Sequence, residues 1–148
     1  HNSKGLEPEG NFRPIPMHYA MSGAMGAGRS NEGSTIDSIG LMFRERSLSD
    51  AGVRNFDMCG IIPVVGDSMA ELIMDGDVVL IDYTQKKPKH GHVFAVRIGT
   101  DVCIKYLSRA GSVIEVRSHN PDAAHMQPLK EGDDFEIIGR ILWRAGFL

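Results

Sequence analysis

From residue 61 onward, short runs rich in valine and isoleucine recur at 61–65, 77–83, 92–98, 102–107, 112–117 and 135–143. Each ends in a turn built from Gly, Asp, Pro or Lys, the punctuation of strands rather than helices. Most gaps hold no helical stretch, so successive strands are expected to reverse and pair antiparallel. The expected fold is mainly β. A chain of 148 residues that is 42% hydrophobic can bury one core. Upstream the signal changes: the first 35 residues hold six glycines and three prolines with little periodicity. Residues 1–35 therefore read as a flexible linker or arm, and 36–148 as the packed domain. At the junction, Ile36–Met42 fits a strand and Phe43–Gly52 a short helix.

Charge narrows the function. Sixteen basic against nineteen acidic residues give a net charge of −3, with no basic cluster beyond Lys86-Lys87-Pro88-Lys89. Nucleic-acid binding by this segment alone is disfavoured, because phosphates require a concentrated basic face. No apolar run reaches membrane-spanning length and no signal-peptide pattern opens the chain, so a cytoplasmic protein without membrane contact is expected. Cys59 and Cys103 sit in apolar runs and are expected to stay reduced thiols. The chain opens at His1 without an initiator Met and reads as a piece of something longer.

Residues 64–83, VVGDSMAELIMDGDVVLIDY, place Ser68 in a Gly-Asp-Ser-Met turn between two strand-like runs. Ser68-Met69-Ala70-Glu71 matches a capping box, which would start a short helix. A nucleophile is the other reading, and it needs a base. The histidines are poor candidates: His90 and His92 flank Gly91 in a turn, His119 precedes Asn120-Pro121, and His125 lies in a loop. His90-x-His92 lacks the third ligand of a metal site, so no metal or other cofactor is expected. Lys105 is different. Alternation through Val102-Cys103-Ile104-Lys105-Tyr106-Leu107 puts it on one face with Cys103 and Leu107, a lone charge in an apolar strand. It either snorkels from an edge strand or is buried, and burial lowers a lysine pKa toward a usable base.

GDSM, DGDVVLID, GHVFAVRIGTDVCIKYL, SHNP and FEIIGRILW together resemble the C-terminal domain of LexA-type and phage CI-type repressors. That family of Ser–Lys autopeptidases also includes the UmuD mutagenesis protein. The resemblance is close over 61–144 and loose over 14–28, and its most specific element is the IKYL lysine 37 residues beyond the GDSM serine. It implies a LexA-like, β-rich peptidase and dimerisation domain in which Ser68 is the nucleophile and Lys105 the general base. Amides around Gly66, Asp67 and Met69 would hold the oxyanion. The scissile bond would lie in the arm, at Met25-Gly26 or Ala27-Gly28. The family's usual SDNP is SHNP here, with His119 replacing the acid in what reads as a turn.

The resemblance further implies a homodimer, and a link to operator DNA only through a helix-turn-helix head outside this chain. Cleavage of the arm would separate head from dimerisation domain in response to an activated RecA filament. A non-cleaving dimerisation module that binds an antirepressor protein is the alternative, since Met25 would crowd a pocket shaped for alanine. A signal-peptidase-like hydrolase is a third, disfavoured by the lack of a membrane segment. Strand 135–143, apolar on both faces, is expected to need a cover and so to support self-association.

Overall fold

The computed structural model describes residues 10–18 and 40–148. In chain order the elements are β1 (Phe12–Ile15), β2 (Leu41–Arg44), α1 (Glu45–Asp50), β3 (Cys59–Pro63), β4 (Val78–Asp82), β5 (Val93–Ile98), β6 (Asp101–Ala110), β7 (Val113–Arg117) and β8 (Phe135–Ala145). A short 3-10 turn, Phe56–Met58, precedes β3. The fold is mainly β, as the hydrophobic runs imply. Strands β3 to β8 form one antiparallel sheet in the order β3-β4-β8-β5-β6-β7, and β1 and β2 form a separate ribbon. Among the described residues no helix is long and apolar enough to cross a membrane.

Strand alternation sorts the apolar side chains into three clusters. One face of the large sheet carries Ile62, Val79, Ile81, Val93, Ala95 and Ile141, closed over by Met69 and Ile73 from the β3–β4 connection. Ile104 and Tyr106 of β6 pack against the same cluster as Ile62 of β3, although four steps separate those strands in the sheet. The sheet therefore curls until its two sides nearly meet. On the opposite face, Cys59, Ile61 and Leu80 pack under β1 and α1, while Phe94, Val96, Leu107, Ile114 and Val116 pack under Leu129.

Two expectations are corrected. Strand β8 does not lie open: it is hydrogen-bonded to β4 on one side and β5 on the other. Both its faces are apolar because it crosses the middle of a curled sheet, and Trp143 near its end stays exposed. The second concerns the arm. Phe12–Ile15 form a strand, and Ile15 is fully buried, although 1–35 read as unpacked. The chain then runs along the outer edge of β3, where Ile61 N donates to Pro16 O at 2.8 Å and His18 N donates to Ile61 O at 2.7 Å. The His18 ring lies over Gly60, where any side chain would collide with it, and its Nδ1 shares a hydrogen bond with the Tyr83 hydroxyl at 2.5 Å.

Both cysteines are free thiols, and they pack in different places: Cys59 with Ile15, Ile61 and Leu80, and Cys103 against the cluster of Phe94 and Leu107. Burial, and secondarily Asp82, pushes the Cys59 thiol up to about 11.

Candidate active site

The GDSM turn sits in a loop, residues 64–77, whose ends are tied together. Val64 N donates to Asp77 O and Gly76 N to Val64 O, both at 2.9 Å. Inside the loop the Asp75 carboxylate accepts from Gly66 N at 2.7 Å, and the buried Asp77 carboxylate accepts from Met74 N at 2.9 Å. Gly66 takes φ +96°, a left-handed turn that suits a residue without a side chain. The apolar side chains of Met69 and Ile73 plug the loop into the core. Ser68 is thus fixed on a short, well-anchored crest. It starts no α-helix: residues 68–72 form turns, and Glu71 is exposed, so the capping-box reading gives way to the turn.

Ser68 faces a cleft of about 230 Å³ lined by Ile62–Gly66, Met69 and, from across the curl, Val102, Cys103 and Ile104. Lys105 follows directly in β6. It is 6% exposed, with Phe94 as its strand partner and Leu107 beside it on the same face. Burial pushes its ammonium below the ordinary lysine value, partly opposed by the Cys103 thiol. The lysine does not snorkel to water. Its Nζ donates to Ser118 Oγ at 3.0 Å, and among the described residues no hydrogen bond joins it directly to Ser68.

Ser118 opens the SHNP segment, which ties the two sides of the cleft together. Asn120 N donates to Ser68 O at 2.9 Å, and Asn120 Nδ2 donates to Asp67 O at 3.0 Å. Between them, His119 Nδ1 shares a hydrogen bond with the Tyr106 hydroxyl at 2.7 Å, and the Arg117 guanidinium lies 5.0 Å over the Tyr106 ring. Three consecutive residues therefore touch Lys105, Tyr106 and the serine crest. Sequence reading treated SHNP as a turn and missed Ser118 and Asn120; the only available signal was two polar side chains in that motif.

The proposed oxyanion donors divide. Gly66 N is committed to Asp75 and serves the turn rather than an anion. Among the described residues no hydrogen bond engages the amides of Asp67, Ser68 or Met69. Met25, Gly26, Ala27 and Gly28 lie outside the described residues. No three His, Cys, Asp or Glu side chains gather as a metal cluster among the described residues.

The Peptidase S24-like family model matches residues 21–142. The chain belongs to the Peptidase S24-like family. Over 80 residues it is 38% identical to the LexA repressor of Acidovorax sp. (strain JS42), covering 53% of this chain and 35% of that protein. Over 134 residues it is 33% identical to the Repressor protein CI of Enterobacteria phage phi80, covering 87% of this chain and 54% of that protein. The LexA repressor of Verminephrobacter eiseniae (strain EF01-2) is 32% identical over 140 residues, with 83% and 60% covered. The chain thus spans between about a third and three fifths of the length of these curated relatives. Its S24-like β-rich fold is the LexA-like C-terminal domain that the sequence resembles.

Proposed function

We propose that this domain cuts its own N-terminal arm with Ser68 as nucleophile and Lys105 as general base, and that it does so as the dimerisation half of a transcriptional repressor. The observation that carries the reading is the buried, depressed Lys105, held by the same SHNP segment that holds the Ser68 backbone. A serine hydroxyl needs a neutral base nearby. An amine that donates one N–H to Ser118 keeps its lone pair for the Ser68 proton once it is deprotonated. Ser68 Oγ attacks the scissile carbonyl and passes its proton to Lys105. Lys105 then protonates the leaving amine, and water releases the acyl group from Ser68. The amides of Asp67, Ser68 and Met69 supply the oxyanion donors.

The bond has to reach the crest, and chain length allows it. His18 is bonded to Ile61, and Ile61 lies within about 24 Å of Ser68, the span of seven extended residues. Seven further residues of arm beyond His18 reach Met25, so Met25-Gly26 and Ala27-Gly28 both come within range. Because arm and core are one chain, the reaction is intramolecular and needs no second molecule. By the same reading, an activated RecA filament shifts the arm toward the cleft without adding chemistry. Cleavage then unlinks two operator-binding heads that a homodimer holds together.

Incubation of the purified chain at alkaline pH, followed by intact mass measurement, tests this. Two fragments meeting at Met25-Gly26 or Ala27-Gly28 are expected. Ser68→Ala and Lys105→Ala should each give none while remaining folded. An uncut wild-type chain, both at alkaline pH and with activated RecA, would replace this reading with a non-cleaving module that binds an antirepressor protein.

A further inference from the structure

The turn at Lys86–Lys89, the densest run of positive charge in the sequence, does not simply project into water. With Thr84, Gln85, His92 and Arg140 it walls an open pocket of about 680 Å³, floored by Phe94. No carboxylate belongs to that wall, while Lys86, Lys87, Lys89 and Arg140 all do. Among the described residues Arg13, Arg46, Arg97 and Arg144 are paired with acids; these four cations, like Arg44, Arg54, Arg109, Arg117 and Lys130, appear in no ion pair, but only these four gather in one pocket. In a chain of net charge −3 this is a local excess of one sign.

Arg140 is the central element. It projects from the middle of β8, opposite Asp82 on β4 and Phe94 on β5. Its Nη1 donates to Gln85 Oε1 at 3.3 Å, and Gln85 Nε2 donates to Asp82 Oδ2 at 2.8 Å. The other Asp82 oxygen is taken by Thr84, from its backbone N–H at 2.9 Å and its hydroxyl at 2.7 Å. Asp82 thus orients the guanidinium through Gln85 without pairing with it. Arg140 Nε is buried with no hydrogen-bond partner. Being out of reach of solvent, Nε meets no ligand from the pocket; the Nη end of the guanidinium, beside Gln85 in the pocket wall, is the part that can grip two oxygens of one anion.

We propose that this pocket is an anion site that receives a phosphoryl group. Two of its oxygens are held by the Nη end of the Arg140 guanidinium, and Lys86, Lys87 and Lys89 neutralise it from the rim. A carboxylate would satisfy the fork, but one negative charge leaves three lysines unanswered. A terminal phosphate carries a third oxygen and a second charge, and a nucleic-acid backbone, with one charge per phosphodiester, sets successive phosphates along the rim; either answers the cluster better. The phosphoryl group comes either from a small phosphorylated molecule or from a nucleic-acid backbone. His92 is held below its ordinary pKa by burial, then by Arg140 and Lys89, and so reports on the field in the pocket.

The test is two-dimensional NMR of the intact chain, titrated at constant ionic strength with inorganic phosphate, a mononucleotide, a short single-stranded oligonucleotide and a glutamate-rich peptide. Phosphate should shift Thr84–Lys89, His92 and Arg140 in a saturable manner and raise the His92 titration midpoint. Arg140→Lys keeps the charge but loses the fork, and should weaken binding about tenfold; Lys87→Gln, on the exposed turn, should weaken it about twofold to fivefold. Stronger binding of the mononucleotide would identify a small-molecule source, and stronger binding of the oligonucleotide a backbone source; either supports the site. The proposal is overturned if the peptide saturates the pocket and phosphate does not, if the shifts are diffuse and unsaturable, or if folded Arg140→Lys and Lys87→Gln bind phosphate as the wild type does.

Discussion

Asn120 links the SHNP segment to the serine crest through two hydrogen bonds, and replacing its side chain separates positioning from chemistry. Its backbone N–H to Ser68 O survives any substitution; only the Nδ2 bond to Asp67 O, 3.0 Å, depends on the side chain. Its Oδ1 also accepts from Asp122 N at 2.9 Å, closing a local turn. Asn120→Asp retains that acceptor, removes the donor and sets two oxygens against each other at Asp67. Loss of one neutral hydrogen bond at a partly exposed site costs about 0.5–1.5 kcal/mol of global stability. Catalysis should suffer more, because a displacement near 1 Å at the nucleophile costs on the order of 100-fold in rate. The expected result is a self-cleavage rate lowered about tenfold to 100-fold under conditions where denaturant titration shows the variant fully folded. Asn120→Ala, which adds no charge, should slow cleavage while leaving the midpoint of the pH profile in place, since Lys105 and Ser118 are untouched. The measurement is the first-order rate by intact mass across the pH range, beside the denaturation midpoint. Wild-type rates in both variants, or a shifted midpoint in Asn120→Ala, would refute the clamp.

Three further outcomes follow from the site and the surface. Lys105 is depressed below its ordinary value of 10.5, so self-cleavage should rise about tenfold per pH unit at low pH and level off before pH 10.5. Stability should follow the same group. Between its folded and unfolded pKa the unfolded chain binds more protons, so the wild type gains stability through that window and loses it as pH falls. The denaturation difference between wild type and Lys105→Met should change across that window, and a difference independent of pH would contradict the burial argument. For self-association, the exposed side chains Phe12 and Met42, with Trp143 of β8, are the expected contact. Sedimentation should show a dimer that Met42→Lys weakens; a wild-type monomer at high concentration rejects it.

The six main strands were legible because alternation is a local property: each run of Val and Ile carries its own two-residue period. The run 102–107 likewise marked Lys105 as anomalous without any tertiary information, and the GDSM turn marked Ser68. Strand β1 was not legible. Four residues containing Pro14 have no visible period, and Ile15 becomes core only because β3 and α1 close over it. That a carboxylate occupies the Gly66 amide was not legible either, since Asp75 lies nine residues away across a closed loop.

By itself, then, the sequence determined the six main strands, that they pair antiparallel, and which serine and lysine stand out chemically. Tertiary structure alone decided that β8 is central rather than at an edge of the sheet, because strand order depends on pairings between segments far apart in the chain. It also decided the curl that sets Val102–Ile104 across the cleft from Ser68. The Ser118–Asn120 segment joins Lys105, 13 residues away, to Asp67, 53 residues away. Such contacts have no local signature: a hydrogen bond between distant loops is fixed by how the sheet folds between them, and neither loop's own residues encode that path.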